Sequence, residues 1–418
     1  MSEVVNIPQL RFPGFNGRWS CELFNNIVSV IDGDRGVNYP KSNDFFSDEY
    51  CLFLSAKNVT KNGFIFNETQ FIKKERDELL RKGKLSRGDI VLTTRGTVGQ
   101  FAFYSDEVTY NNIRINSGMV LLRNSNDNLL NSYFFKACNS FQISRQIKIV
   151  AFGSAQPQLT VKEINKIKIN LPTKPEQQKI AAFLTAVDNK IEQLSKKQAL
   201  LSEYKKGLMQ QIFSQAIRFQ ADDGCDFPDW EEKKLGDLFS GIKGRGLSKG
   251  DITIDGLNKC ILYGELYTTY PEVIKNIVSR TNSDDGVKSQ AGDLLVPCST
   301  TTTGIDLADV TAINEDNVLL GGDMSILRLK KDGDSIFFAY YLTHYKKFDL
   351  AKYGQGSTIV HLYYSHFKKI DLKFPSSVEE QTKIANFLSS IDNKIEQVGK
   401  QLDESKQFKK ALLQQMFV

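Results

Sequence analysis

The stretch that decides the fold is EQQKIAAFLTAVDNKIEQLSKKQALLSEYKKGLMQQIF, Glu176 to Phe213, because it returns as EQTKIANFLSSIDNKIEQVGKQLDESKQFKKALLQQMF, Glu380 to Phe417. The copies align without a gap at a shift of 204 residues. Apolar residues step by threes and fours along each, which is the seam of a coiled coil. Leu184, Val187, Ile191 and Leu194 carry the seam in the first copy, and Leu388, Ile391, Ile395 and Val398 in the second. Further along the seam the copies differ: Gln198 aligns with Leu402, and Leu201 with Ser405. Pro172 and Pro175 stand at the start of the first copy and Pro375 before the second, where proline is tolerated. At about 1.5 Å per residue, a helix of roughly 38 residues exceeds about 50 Å. Its apolar stripe needs a partner.

Fainter echoes fill the space before each copy. GDIVL at Gly88 matches GDLLV at Gly292, MVLLR at Met119 matches MSILR at Met324, and GSAQPQL at Gly153 matches GSTIVHL at Gly356. The chain is a tandem duplication, and a long internal period of this kind governs the whole fold. Each half reads as a divergent domain of about 150 residues followed by a closely matched helix. The expected boundaries are an N-terminal segment 1–21, a domain 22–171, a helix 172–215, a linker 216–230, a second domain 231–374 and a helix 375–418. The expected fold class is α+β. Two mixed α/β domains are joined by two long antiparallel helices in an intramolecular coiled coil with an internal pseudo-two-fold, a domain at each end of a rod.

Composition excludes several classes. The 418 residues are 41% hydrophobic and 25% charged, as in ordinary globular proteins. No run of about 18 apolar residues spans a membrane, and the opening MSEVVNIPQL is no signal peptide, so a cytoplasmic location is expected. Six scattered cysteines without a CxxC pair predict reduced, buried thiols rather than a zinc site or disulfide framework. Net charge of +5 permits nucleic-acid binding without demonstrating it. There is no GxxxxGK[ST], no GxGxxG after a strand and no Asn/Asp-Pro-Pro-aromatic motif, so neither ATP nor S-adenosylmethionine is expected on this chain. The three histidines, His344, His361 and His366, do not have metal spacing, and no catalytic constellation recurs.

Two unlike domains, each followed by a helix opening EQxKIAxFLxxxDxKIE, resemble the specificity subunit of a type I restriction-modification system. LRFPGF followed by Trp19 is similar to the openings of such subunits. The resemblance covers essentially the whole chain. It implies that each variable domain is a target recognition domain reading one half of a bipartite double-stranded DNA site. It implies that the helices are spacers that dock two methyltransferase subunits, with two restriction/translocase subunits recruited through the assembly. The complex would methylate adenine and cut unmethylated DNA in host defence, with S-adenosylmethionine, ATP and Mg on the partners and no catalysis by this chain. Two readers on one spacer must meet half-sites at a fixed phase, near one duplex turn of about 34 Å. Because the readers differ, the site should be asymmetric. Two other readings stay open: a coiled-coil adaptor whose domains bind protein, and an enzyme with an unrecognised site.

Candidate DNA contacts lie in polar loops. In GDIVLTTRGTVGQFAFY, Thr94, Arg95 and Thr97 occupy a glycine-flanked loop, with Arg95 suited to a guanine edge or a phosphate. Its equivalent, PCSTTTTGID, carries Thr300, Thr301 and Thr302. Lys57 and Asn58 end a strand whose counterpart includes Tyr263. Asn112, Arg114 and Asn116 alternate along YNNIRINSG and would share a strand face. Ser154 and Gln156 face Gln355, Ser357 and His361 in the alignment. Lys243 and Arg245, in GIKGRGLSKG, suit phosphate. Every one of these segments also reads as a solvated loop or a turn closing a hairpin.

Overall fold

In a computed structural model, residues 7–151 and 157–418 are described. Chain contacts divide the protein into two units: residues 1–195 with 400–418, and residues 196–399. The division runs through both long helices. Each unit therefore holds one variable domain, part of the central helix (Lys174–Phe213) and part of the C-terminal helix (Val378–Gln415).

The first unit is built on an antiparallel four-stranded sheet ordered Val28–Asp32, Met119–Asn124, Ile90–Thr93, Phe101–Phe103. Ile90, Val91 and Leu92 are all buried because the sheet is covered on both faces. Alternation sorts them. Ile90 and Leu92 join Val120, Leu122, Tyr133 and Phe134 in a core that takes in Ile180 and Leu184 of one helix and Leu412 and Met416 of the other. Val91 and Leu121 face a second core with Leu52, Tyr104, Ile113 and Ile115. Ser20–Leu23 pairs antiparallel with Lys168–Leu171, so the two ends of the domain are stitched together just before the central helix starts.

The second unit repeats this plan with more strands. Its main sheet runs Phe239–Lys243, Met324–Leu329, Asp293–Pro297, Thr311–Ile313, Val273–Ile274. One face packs Leu294, Val296 and Leu327 with Phe337, Tyr341, Met209, Ile212, Ile384 and Leu388. The other packs Leu295 and Ile326 with Ile261 and Leu320. Trp230–Lys234 and Asp371–Pro375 form the closing pair.

Within each unit the helix segments run antiparallel. In the first, Asp188 faces Lys409, while Leu194, further along one helix, shares a groove with Gln401 and Ser405, further back on the other. In the second, Asp392 faces Lys205, and a Cβ on Gly399 would stand 2.8 Å from Gln198 Nε2. Leu184, Leu194, Leu388, Ile391 and Val398 are buried, and Val187, Ile191 and Ile395 half-buried.

The repeated motifs have repeated structural roles. Glu176 receives Arg11 Nε and Nη2 at 2.7 and 2.8 Å, and Glu380 receives the same atoms of Arg218 at 3.2 and 2.9 Å. Gln177 accepts the Leu130 N–H and Gln381 the Asp334 N–H, both at 2.9 Å, fixing the start of a domain helix. The GD…LLR echo is a bidentate pair in each sheet, Asp89 with Arg123 and Asp293 with Arg328, with all four bonds between 2.7 and 2.9 Å.

Candidate nucleic-acid interface

Along the edge of the first unit's main sheet where strand Ile90–Thr93 ends and strand Met119–Asn124 begins, three loops distant in sequence are drawn together. The Thr94 and Arg95 N–H groups donate to the Gly118 carbonyl at 2.8 and 3.2 Å, and the Leu159 N–H donates to the Thr94 carbonyl at 3.0 Å. The Gly118 N–H donates to Asn116 Oδ1 at 2.8 Å. Arg95 and Thr97 are exposed and Asn116 half-buried. Thr93 Oγ1 donates to the Thr97 carbonyl and holds the loop closed.

A fourth loop, Asp32 to Gly36, joins them. Gly33 is required by close approach, since a Cβ would stand 2.5 Å from the Asn116 carbonyl oxygen. Next to it Arg35 Nη2 bonds Asp32 Oδ1 at 3.1 Å and the Ser117 carbonyl at 3.3 Å, with the side chain about half exposed. Hydrogen bonds from the Gly36 and Arg81 N–H groups hold the Asp34 carboxyl below the usual carboxylate range, against the opposing effect of burial. Sequence reasoning passed over Arg35. The signal was available: VSVIDGDRG, at Val28, occupies the strand-to-loop place of FSGIKGRG, at Phe239, whose basic residues were singled out.

The second unit makes the same edge with other chemistry. The Cys298 N–H donates to the Asp323 carbonyl at 2.8 Å and the Leu362 N–H to the Cys298 carbonyl at 2.9 Å, as Thr94 does with Gly118 and Leu159. Gly244 replaces Gly33, its Cβ position 2.0 Å from the Gly321 carbonyl oxygen. Ser299–Thr300 pairs with Val360–His361, which brings the threonine run and the 355–361 segment together. Ser299 Oγ lies 2.9 Å from His361 Nδ1, and the imidazole stacks on Tyr363 with centroids 5.5 Å apart and planes at 11°. Lys243 Nζ lies 5.6 Å from the Tyr363 ring centre. Thr302 and Thr303 hydroxyls donate to Asp306 Oδ2 at 2.6 and 2.9 Å, which with the Thr303 N–H holds that carboxyl low and the loop in shape. Thr301, Gln355 and Ser357 are exposed at this edge, as are Arg245 and Lys249 beyond Lys243. Arg245 Nε stands 3.7 Å from Asp285 Oδ1.

Four expected contacts are corrected by burial. Asn58 is 2% exposed, and its amide is used up by Ser55, the Ile65 carbonyl and the Glu68 carbonyl. Arg114 is 5% exposed and locked onto Asp77 and three carbonyls. Only Ile113 and Arg114 are in strand, so Asn112, Arg114 and Asn116 do not line one open face. Thr94 and Thr300 are buried, Thr300 Oγ1 bonding Thr302 Oγ1 at 2.9 Å. Tyr263 is half-buried against the second unit's outer core. Lys57 is exposed and paired with Glu68 at 2.6 Å. Ser154 and Gln156 lie outside the described residues. Two cysteines also depart from expectation: Cys21 and Cys225 are exposed, the other four buried.

Each edge thus combines cations with short polar side chains on loops tied to a rigid sheet, which is chemistry for phosphates and base edges. Among the described residues no group of three His, Cys, Asp or Glu side chains is placed to hold a metal. No described helix is long and apolar enough to cross a membrane.

Comparison with known proteins agrees with this organisation. The family model for the type I restriction modification DNA specificity domain matches twice, over residues 32–202 and 228–405. The putative type I restriction enzyme MjaX specificity subunit of Methanocaldococcus jannaschii is 24% identical over 94% of this chain and 89% of its own length. The HindI specificity subunit of Haemophilus influenzae is 24% identical over 38% of this chain and 35% of its own length. The crystal structure of a type I S subunit from M. genitalium superposes with a TM-score of 0.62 at 15% identity, covering 99% of each chain. A repeated sheet framework, a divergent polar edge in each copy and a family match over both copies lead to one conclusion: the chain belongs to the type I restriction modification DNA specificity domain family, whose role is recognition rather than catalysis.

Proposed function

We propose that each unit reads one half of an asymmetric bipartite site in double-stranded DNA, within a type I restriction-modification complex. The observation that carries this is the contrast inside the duplication. The framework pairs recur residue by residue, whereas the edge changes from Arg35, Arg95, Thr97 and Asn116 to Lys243, Thr301, Thr302, Gln355 and His361. A shared frame with different reading groups is what two different half-sites require. The helices set the half-site spacing and dock two methyltransferase subunits, and two restriction/translocase subunits join through them. S-adenosylmethionine, ATP and Mg belong to those partners, which methylate adenine in each half and cut unmethylated DNA in the cytoplasm.

The test is a genome-wide map of methylated adenine in the source strain with and without this gene. A bipartite, asymmetric motif that disappears on deletion is expected. An unchanged map, in a strain shown to express an active partner methyltransferase, overturns the proposal. Exchange of residues 22–170 for the equivalent segment of a relative should alter one half-site alone.

A further inference from the structure

One carboxylate in each copy of the repeated Asp-Asn-Lys-Ile-Glu sequence touches everything that needs aligning. In the first unit Asp188 sits between two ammonium groups. Lys409 Nζ, from the antiparallel helix, is 2.7 Å from Oδ1 as an ion pair outside hydrogen-bond alignment. Lys136 Nζ, from the domain helix Asn131–Cys138, donates to Oδ2 at 2.6 Å. In the second unit the equivalent Asp392 has Lys205 Nζ at 2.7 Å from Oδ1, again from the antiparallel helix. Its Oδ2 accepts the Tyr340 hydroxyl, from the domain helix Ser335–Tyr340. The shift of 204 residues relates Asp188 to Asp392, Lys409 to Lys205 and Lys136 to Tyr340. Two different side chains thus arrive at one oxygen from one place in the fold.

The second unit adds a further brace. Lys205, 8% exposed, also donates to Glu272 Oε1 at 3.1 Å and lies 4.9 Å from the Tyr340 ring centre, and His344 Nε2 bonds the same Glu272. Glu272 and His344 are domain residues, so the helix lysine grips the domain as the helix aspartate does.

We propose that Asp188 and Asp392 are positioning residues that fix the angle of each reading domain on the helix pair. This inference rests on the two-reader function above. Apolar cores such as Tyr133 and Phe134 of the domain with Leu184 and Met416 of the helix segments hold the domain to the helices, but burial of apolar surface is non-directional. A charge-assisted hydrogen bond is directional. The socket is made by the helix pair and is the same in both units. The domain need only present a donor, so lysine and tyrosine are interchangeable there. A loosened socket blurs where a reader meets the duplex without changing which bases it prefers.

The experiment uses the full chain assembled with its methyltransferase partner. Adenine methylation is measured on duplexes carrying both native half-sites at separations from two base pairs shorter to two longer than native. Wild type is expected to act at one separation. Asp392→Asn and Tyr340→Phe should lose about tenfold at that separation, the size of one hydrogen bond to a charged group. They should gain relative activity one base pair either side, with base preference in each half unchanged. Lys136→Met should behave likewise, while Lys136→Tyr and Tyr340→Lys keep the wild-type profile. Tyr340→Phe removes a single oxygen, so it decides the matter even where Asp392→Asn does not fold. A Tyr340→Phe complex with the wild-type separation profile, or one with altered base preference instead, overturns the proposal. A wild-type complex that methylates no bipartite site refutes the two-reader function itself, which is a different result.

Discussion

Replacing Arg114 by methionine separates a structural arginine from a DNA-reading one. The guanidinium is 5% exposed. Its Nε bonds the Asp77 carboxylate, Nη1 the Lys82 carbonyl at 2.7 Å, and Nη2 the Asp77 and Leu80 carbonyls at 2.7 and 2.9 Å. Methionine keeps much of the volume and removes every donor. Asp77, 2% exposed, is left buried with Lys84 as its remaining ion pair, and three carbonyls lose a partner. Breaking a buried pair costs about 3–5 kcal/mol, and the remaining Lys84 places this case at about 3. For a unit of about 200 residues each kcal/mol moves the melting temperature by about 2–4 °C, so a fall of about 6–12 °C is expected. Burial pushes the Asp77 carboxyl up, but the hydrogen bonds of Lys84 and Arg114 outweigh it and hold it below the ordinary value. The pair's stability is therefore present above the unfolded value of about 3.9 and is lost as pH falls through the lower folded one. The difference between wild type and Arg114→Met should shrink below about pH 4. Scanning calorimetry of both proteins at several pH values measures it. A variant that melts with wild type yet loses DNA affinity would refute the assignment.

Arg95→Ala should lower methylation through one half-site only, by about 1–3 kcal/mol at a single base position, measured with duplexes substituted one position at a time. A uniform loss at every position, with a shallower salt dependence, would make it a phosphate contact instead. Gly244→Ala should cost about 1–3 kcal/mol, because the new methyl meets the Gly321 carbonyl oxygen, a backbone atom that cannot swing aside; chemical denaturation of the variant reads it. Burial opposes the charge on Glu272, but hydrogen bonding from His344 and the charge of Lys205 win and hold its carboxyl at about 2. Its contribution is present above the unfolded value of about 4.3 and lost as pH falls towards the folded one. Glu272→Gln should flatten the pH dependence of melting between about pH 5 and pH 2.

The helices were legible because their signal is local: a seam of threes and fours, repeated at a fixed shift, survives without any knowledge of the fold. The GD…LLR echo was legible as a repeat but not as an ion pair. Asp89 and Arg123 meet only because strands 90–93 and 119–124 are neighbours in the sheet. Candidate contacts divided on the same line. Arg95 and Thr97 sit in a loop that composition marks and the sheet leaves open. Arg114 alternates with asparagines just as a surface strand would, yet Asp77, 37 residues away, draws it inside. Arg35 escaped notice because its loop matches GIKGRG in place and not in letters.

The amino-acid sequence alone determined that this chain is a duplication, that each half ends in a long amphipathic helix needing a partner, and that the domains between them diverged. It also carried the resemblance that the family match bears out. Those properties are periodic or repeated, and a period is written in the order of residues. Only the tertiary structure decided which polar side chains face outward, and that one aspartate per helix copy receives both a helix lysine and a domain donor. Burial and pairing depend on neighbours far along the chain, set by sheet order and by the antiparallel meeting of helix segments, and no local pattern of residues encodes them.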